Sequence, residues 1–314
     1  MPDTRRTDLV LLMVALVWGS SYLTAKTAAD AAPILVVLFM RYLLSAVASI
    51  VLVLATARRR RGRWTPEEVR IGSVLGLTQT AVLVLEMYGV AQTSAANAGL
   101  LISLTLVITP LLDRSGGRSR VPPRFFLAAG VCVVAIGLLT SGHGLHAPGI
   151  GDGLMLAAAV VRAGHVALVG RLTAGRALRP LQLTTVQTVV GTMLCLAPSA
   201  AGGLPILAHA TAGTWSQLVY LALFCSVFAF LAQTWAIQRT SASRASLVLG
   251  TEPVWAVAVG IVLGGERLTA LAALGAGLMV AGTYWGQAIE RAHRHSMTES
   301  KESSTCPTTV PTSA

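Results

Sequence analysis

Four ionisable side chains, Arg41, Glu86, Arg162 and Glu252, lie inside stretches that are otherwise apolar. Each costs about 2.5–3.5 kcal/mol at the centre of a membrane helix, so four facing lipid would cost on the order of 10 kcal/mol. They must face each other or water. At ~1.5 Å per residue, Arg41 falls about 12 Å and Glu86 about 9 Å below the same end of their segments. Arg162 and Glu252 both fall roughly 12–14 Å from the other side. Charges at one depth are expected to pair, yet the same groups can also contact a polar substrate, and the sequence leaves both roles open. His165 shares a helical face with Arg162. An imidazole titrating near neutrality suits proton coupling, and a histidine hydrogen-bonded between helices fits equally well. Trp18, Ser21 and Tyr22 cluster on the first apolar stretch, while Gln79 stands two turns before Glu86 on one face. Aromatic walls with a few hydrogen-bonding groups suit an amphipathic metabolite.

Catalytic chemistry finds little support. No G-x-x-x-x-G-K-[ST] phosphate loop, G-x-S-x-G, H-E-x-x-H or pair of aspartates within the apolar stretches is present. His143 and His146 are three apart in a Gly-rich segment, a weak metal signal. Cys132, Cys195, Cys225 and Cys306 form no C-x-x-C pair. No enzyme activity, metal or cofactor is expected.

The elements that position these residues follow from composition. Of 314 residues, 54% are hydrophobic and only 12% charged, with a mean hydropathy of +0.68; a soluble domain carries about twice that charge. Ten apolar stretches, at about 9–29, 33–57, 71–92, 96–112, 125–140, 152–171, 181–201, 214–238, 244–264 and 268–289, predict ten transmembrane helices. Those at 96–112 and 125–140 are short enough to be interrupted. The net charge of +11 comes from basic residues in short runs between apolar segments, which argues against nucleic acid as a partner. With the amino terminus inside, all but four of the 24 Lys and Arg residues fall on the cytoplasmic side; the four are Lys26 and Arg267 outside and Arg41 and Arg162 within spans. Both termini are therefore expected in the cytoplasm. The Ser, Thr and Pro-rich tail, 290–314, reads as disordered.

The chain also repeats itself. Asp8 falls on Asp152 and Trp18 on Arg162 at an offset of 144, and Arg41 on Gln187 at 146. At 147, Glu86 falls on Gln233, Tyr88 on Trp235, and TSAANAGL (93–100, containing Asn97) on TSASRASL (240–247). Gly130 and Gly137 fall on Gly275 and Gly282 at 145, and these glycines, with Gly277, are expected to serve close helix packing. The swap of Arg41 and Glu86 for two glutamines removes both charges together, as expected if the paired positions touch. An odd number of helices per repeat makes the second copy enter from the opposite side. The fold class expected is thus an all-α integral membrane protein with ten helices in two inverted five-helix repeats, 9–142 and 151–289, after a cytoplasmic segment 1–8. Pro110 and Pro253 are expected to bend the fourth and ninth helices.

WGSSY (18–22), RYLL (41–44), TSAANAGLLISLTLVITPLL (93–112), GDGLMLAAAVV (151–161), TSASRASLVLGTEPV from 240, GGERL and GAGLMVAGT resemble the EamA type of the drug/metabolite transporter superfamily over about residues 8–289. The resemblance implies an inner-membrane carrier that moves small metabolites, often outward, without its own ATPase. One departure stands out: Gly265-Glu266-Arg267-Leu268 has no counterpart in the first half, where Asp113-Arg114-Ser115-Gly116-Gly117 stands. The expected function is a secondary-active transporter, an exporter of small metabolites or drug-like compounds working by alternating access, with a small-molecule substrate and the lipid bilayer as partners. A homodimer is left open. An intramembrane enzyme or a passive channel is the alternative. The candidate substrate or coupling residues are Trp18, Ser21, Tyr22, Arg41, Gln79, Glu86, Asn97, Arg162, His165, Gln187, Gln233, Trp235 and Glu252.

Overall fold

Apolar sequence in a membrane must satisfy its backbone internally, which favours helices, and the described chain is helical throughout. A computed structural model describes residues 2–57, 64–93, 98, 101–112, 122–141, 149–202, 210–264 and 269–305. The helices are α1 (Pro2–Ala31), α2 (Ile34–Ala57), α3 (Pro66–Gln92), α4 (Thr105–Leu112), α5 (Pro123–Ser141), α6 (Ile150–Thr173) and α7 (Pro180–Gly202). They continue as α8 (Ala212–Ala222), a π-turn (Leu223–Phe228), α9 (Ala229–Arg239), α10 (Ala242–Leu249), α11 (Glu252–Gly264) and α12 (Ala270–Thr305).

Among the described residues, six helices are long and apolar enough to cross a membrane: Arg5–Ala31, Ile34–Thr56, Pro66–Gln92, Ile150–Thr173, Pro180–Ala200 and Ala212–Arg239. The last runs through α8, the π-turn and α9. Leu101–Leu112 and Pro123–Ala135 are shorter apolar helices. The fourth stretch is interrupted, as its length suggested, by a turn at Leu104 before α4. The ninth breaks in the same way at Gly250 and Thr251, between α10 and α11. Leu104 and Thr251 are 147 residues apart, the repeat offset of this region, so both breaks belong to the repeat.

The apolar side chains point both ways. Val51, Leu54, Met193, Val262 and Val280 are all more than half exposed. Exposed apolar side chains in such number are a liability in water and cost nothing against lipid. The interior instead holds Arg41, Arg162, Glu252, Gln79, Gln187 and Gln233, each at most 8% exposed.

The last helix continues to Thr305, through part of the 290–314 tail. One expectation changes. The glycines expected at close helix contacts are mostly elsewhere: a Cβ at Gly130, Gly137 or Gly277 would meet nothing within 4 Å. Of that set Gly282 does pack tightly, against Cys132.

Candidate functional site

α1 is pressed onto the start of α11. A Cβ at Gly19 would lie 2.5 Å from the Glu252 carbonyl oxygen and 2.8 Å from Trp255 Cβ, so only glycine permits this approach. It brings Tyr22, one turn on, against the Glu252 carboxylate, which opens α11 where a negative charge suits the helix N-terminus. The Tyr22 hydroxyl donates to Oε1 at 2.6 Å, and Arg162 Nη2 of α6 donates to Oε2 at 2.9 Å. Both carboxylate oxygens are thereby bonded, and the Arg162–Glu252 pair expected from depth is formed. The Arg162 guanidinium also lies 4.4 Å from the centre of the Trp18 ring, a cation–π contact.

A small cavity, part of it open to the outside, adjoins this cluster. Trp18, Ser21, Tyr22, Arg41, Gln79, Glu86 and Arg162 line it, with Phe230 and Met87 supplying apolar wall. Seven candidates drawn from α1, α2, α3 and α6 therefore meet in one place. A second, smaller cavity is lined by Thr105, Leu106, Ser246, Leu249 and Gly250, with Arg162 and Glu252 on its wall. Arg162 lines both cavities.

Arg41 and Glu86 do not pair. The Arg41 Nε donates to Ser226 Oγ at 2.8 Å and Nη2 to the Cys225 carbonyl at 3.4 Å. Glu86 has no protein hydrogen bond among the described residues and faces the cavity. Direction around α2 turns the guanidinium toward the π-turn. Gln187 and Gln233 are both buried, yet the Gln187 amide nitrogen has no partner, so the matching amide pair is not formed either.

The remaining candidates lie apart. His165 is buried, its Nδ1 2.8 Å from the Thr78 hydroxyl in the α3–α6 contact, and it does not line the cavity. Trp235 stacks with Arg239, whose guanidinium is 4.5 Å from the ring centre. Asn97, His143 and His146 lie outside the described residues. Among those described, no cluster of three His, Cys, Asp or Glu suited to a metal is found.

Sequence reasoning missed the π-turn, including Ser226 and the Cys225 carbonyl. One signal for it existed: the repeat offset lengthens from 146 at Arg41 and Gln187 to 147 at Glu86 and Gln233, in keeping with one added residue.

The ends of the helices are tied across the repeats. Arg244 grips Asp8 through two bonds, Nε to Oδ1 at 2.9 Å and Nη2 to Oδ2 at 2.6 Å. Glu68, which caps α3 with Thr65, binds the Arg179 side chain at 2.7 and 2.8 Å. At the far end of α3, Thr93 donates to Asp152 Oδ1 at 2.5 Å. Asp8 and Asp152 are repeat counterparts, and each joins its own half to the other.

A model of the EamA-like transporter family matches residues 5–141 and 149–285. One solved crystal structure is similar over 90% of this chain and 98% of its own, with a TM-score of 0.70 and 18% identity, a likeness of fold. No curated protein matches the sequence.

Proposed function

The chain belongs to the EamA-like transporter family, and on that premise we propose that it is a secondary-active carrier moving a small metabolite by alternating access. Ten membrane helices form two inverted five-helix repeats, with both termini cytoplasmic and the transport cavity between the repeats. The observation that carries this reading is that Arg162, ion-paired to Glu252, lines two cavities at once. A carrier needs a closed point at mid-depth, with polar groups where irregular helix meets cavity. The breaks at Leu104 and Thr251 supply that irregular backbone, and Glu252 sits directly after one of them.

The charges narrow the substrate. Arg162 and Glu252 neutralise each other, while Arg41 and Glu86 line the same cavity without an ion-pair partner among the described residues. A molecule bearing one anionic and one ammonium group would satisfy both, and the Trp18, Tyr22 and Phe230 rings suit an apolar side group. The direction is outward from the inner membrane, as exporters of this type of carrier work.

Counterflow in proteoliposomes tests the reading with three probes of one shape, leucine, isoamylamine and 4-methylpentanoate. A carrier accelerates exchange of the zwitterion when the opposite side is loaded with it. Equal flux with or without loading marks a channel, and chemical conversion of a probe marks an enzyme; either overturns the proposal.

A further inference from the structure

The long helix beside the cavity, Ala212–Arg239, contains a π-turn at Leu223–Phe228. A π-turn shifts backbone bonding from four residues to five and changes which carbonyls remain available outside the helix. Here the turn serves the cavity. The Cys225 carbonyl accepts Trp18 Nε1 at 2.9 Å and Arg41 Nη2 at 3.4 Å. Ser226 Oγ accepts Arg41 Nε at 2.8 Å and donates to the Leu221 carbonyl, five residues back, at 3.2 Å. The Ala222 carbonyl, at the mouth of the turn, accepts the Ser45 hydroxyl at 3.1 Å. One carbonyl and one hydroxyl thus hold the indole and the guanidinium that line the cavity.

We infer that the π-turn is the positioning element of the transport cavity and that Ser226 is the positioning residue for Arg41, aiming the guanidinium at an anionic group of the substrate. The inference rests on the cavity being the transport site. Three observations carry it. Both acceptors of Arg41 are neutral, so its charge is oriented without being cancelled, and Nη1 has no hydrogen-bond partner among the described residues. The repeat does not require the turn, because the matching stretch 76–81 in α3 is regular α-helix. Ser226 is fully buried against its two partners, so its hydroxyl has no role toward lipid or water.

The test uses full-length protein in nanodiscs and proteoliposomes, with Ser226→Ala and Ser226→Thr. In arginine-labelled protein, the Arg41 Nε–H signal is identified by its loss in Arg41→Lys. Ser226→Ala is expected to shift or broaden that signal and to raise the half-saturating leucine concentration about tenfold, the effect of one hydrogen bond to a charged group. The maximal exchange rate changes far less, and Ser226→Thr restores both readouts. An unmoved Nε–H signal overturns the inference, as does a moved signal with unchanged leucine saturation. If the wild-type protein exchanges none of the three probes, the transport reading fails on its own account, and the Nε–H signal alone decides the positioning claim.

Discussion

Arg162 and Glu252, ninety residues apart in sequence, form a buried ion pair of 2.9 Å, and its arginine lines two cavities. The geometry that makes the pair is local to each side. Glu252 opens α11 after a helix break, and Gly19 lets α1 close over it so that Tyr22 completes its bonding. Removing one partner strands the other charge. Arg162→Gln is expected to lower stability by about 3–5 kcal/mol, whereas the double change with Glu252→Gln costs less than the sum of the singles. Thermal melting of the four proteins in one detergent measures this coupling; additive losses would mean the pair is not formed.

The opposite result is expected for Arg41 and Glu86. They share a cavity but not a bond, so Arg41→Gln and Glu86→Gln should add in stability to within about 0.5 kcal/mol. Each single change should still abolish exchange of a zwitterionic probe. A coupling well above that limit in the same melting series would show that the two charges touch.

How far these arrangements could be read from sequence depends on what periodicity encodes. The repeat and the helical class follow from one-dimensional spacing, which also allows an Arg162–Glu252 pair. Direction around the helix axis does not follow from it. Arg41 and Glu86 stand at similar depth, but Arg41 turns to Ser226, and His165 faces Thr78 rather than the cavity. Gly130 and Gly137 repeat at a fixed offset, yet a Cβ at either would meet nothing within 4 Å, because a repeat preserves residues for either surface of a helix. The π-turn left only a one-residue change of offset.

Gly19 offers a test of how α1 is seated. In Gly19→Ala the new methyl would have to displace the Glu252 carbonyl and Trp255. A loss of about 1–3 kcal/mol is expected from such overpacking, with exchange impaired because Tyr22 moves away from Glu252. Unchanged melting and exchange in the purified variant would show that α1 and α11 are not held this closely.

The end ties should act separately. Asp8→Asn removes the charge that Arg244 grips, so hydrogen exchange is expected to rise in Ala242–Leu249 and to stay unchanged at the start of α6. Thr93→Ala should do the reverse, loosening the α6 start around Asp152 and sparing α10. Peptide-resolved exchange in nanodiscs reads both; a change that spreads equally to both ends would deny them separate roles.

The central claim, one cavity reached in turn from two sides, is tested most directly by locking each tie in turn. Met87→Cys, on the cavity wall, is introduced after replacement of the native cysteines and treated with a membrane-impermeant maleimide from either face. With Thr93→Cys cross-linked to Asp152→Cys, Met87→Cys should react only from the cytoplasmic face. With Asp8→Cys cross-linked to Arg244→Cys, it should react only from the opposite face. Reaction from the same face under both cross-links would contradict alternating access.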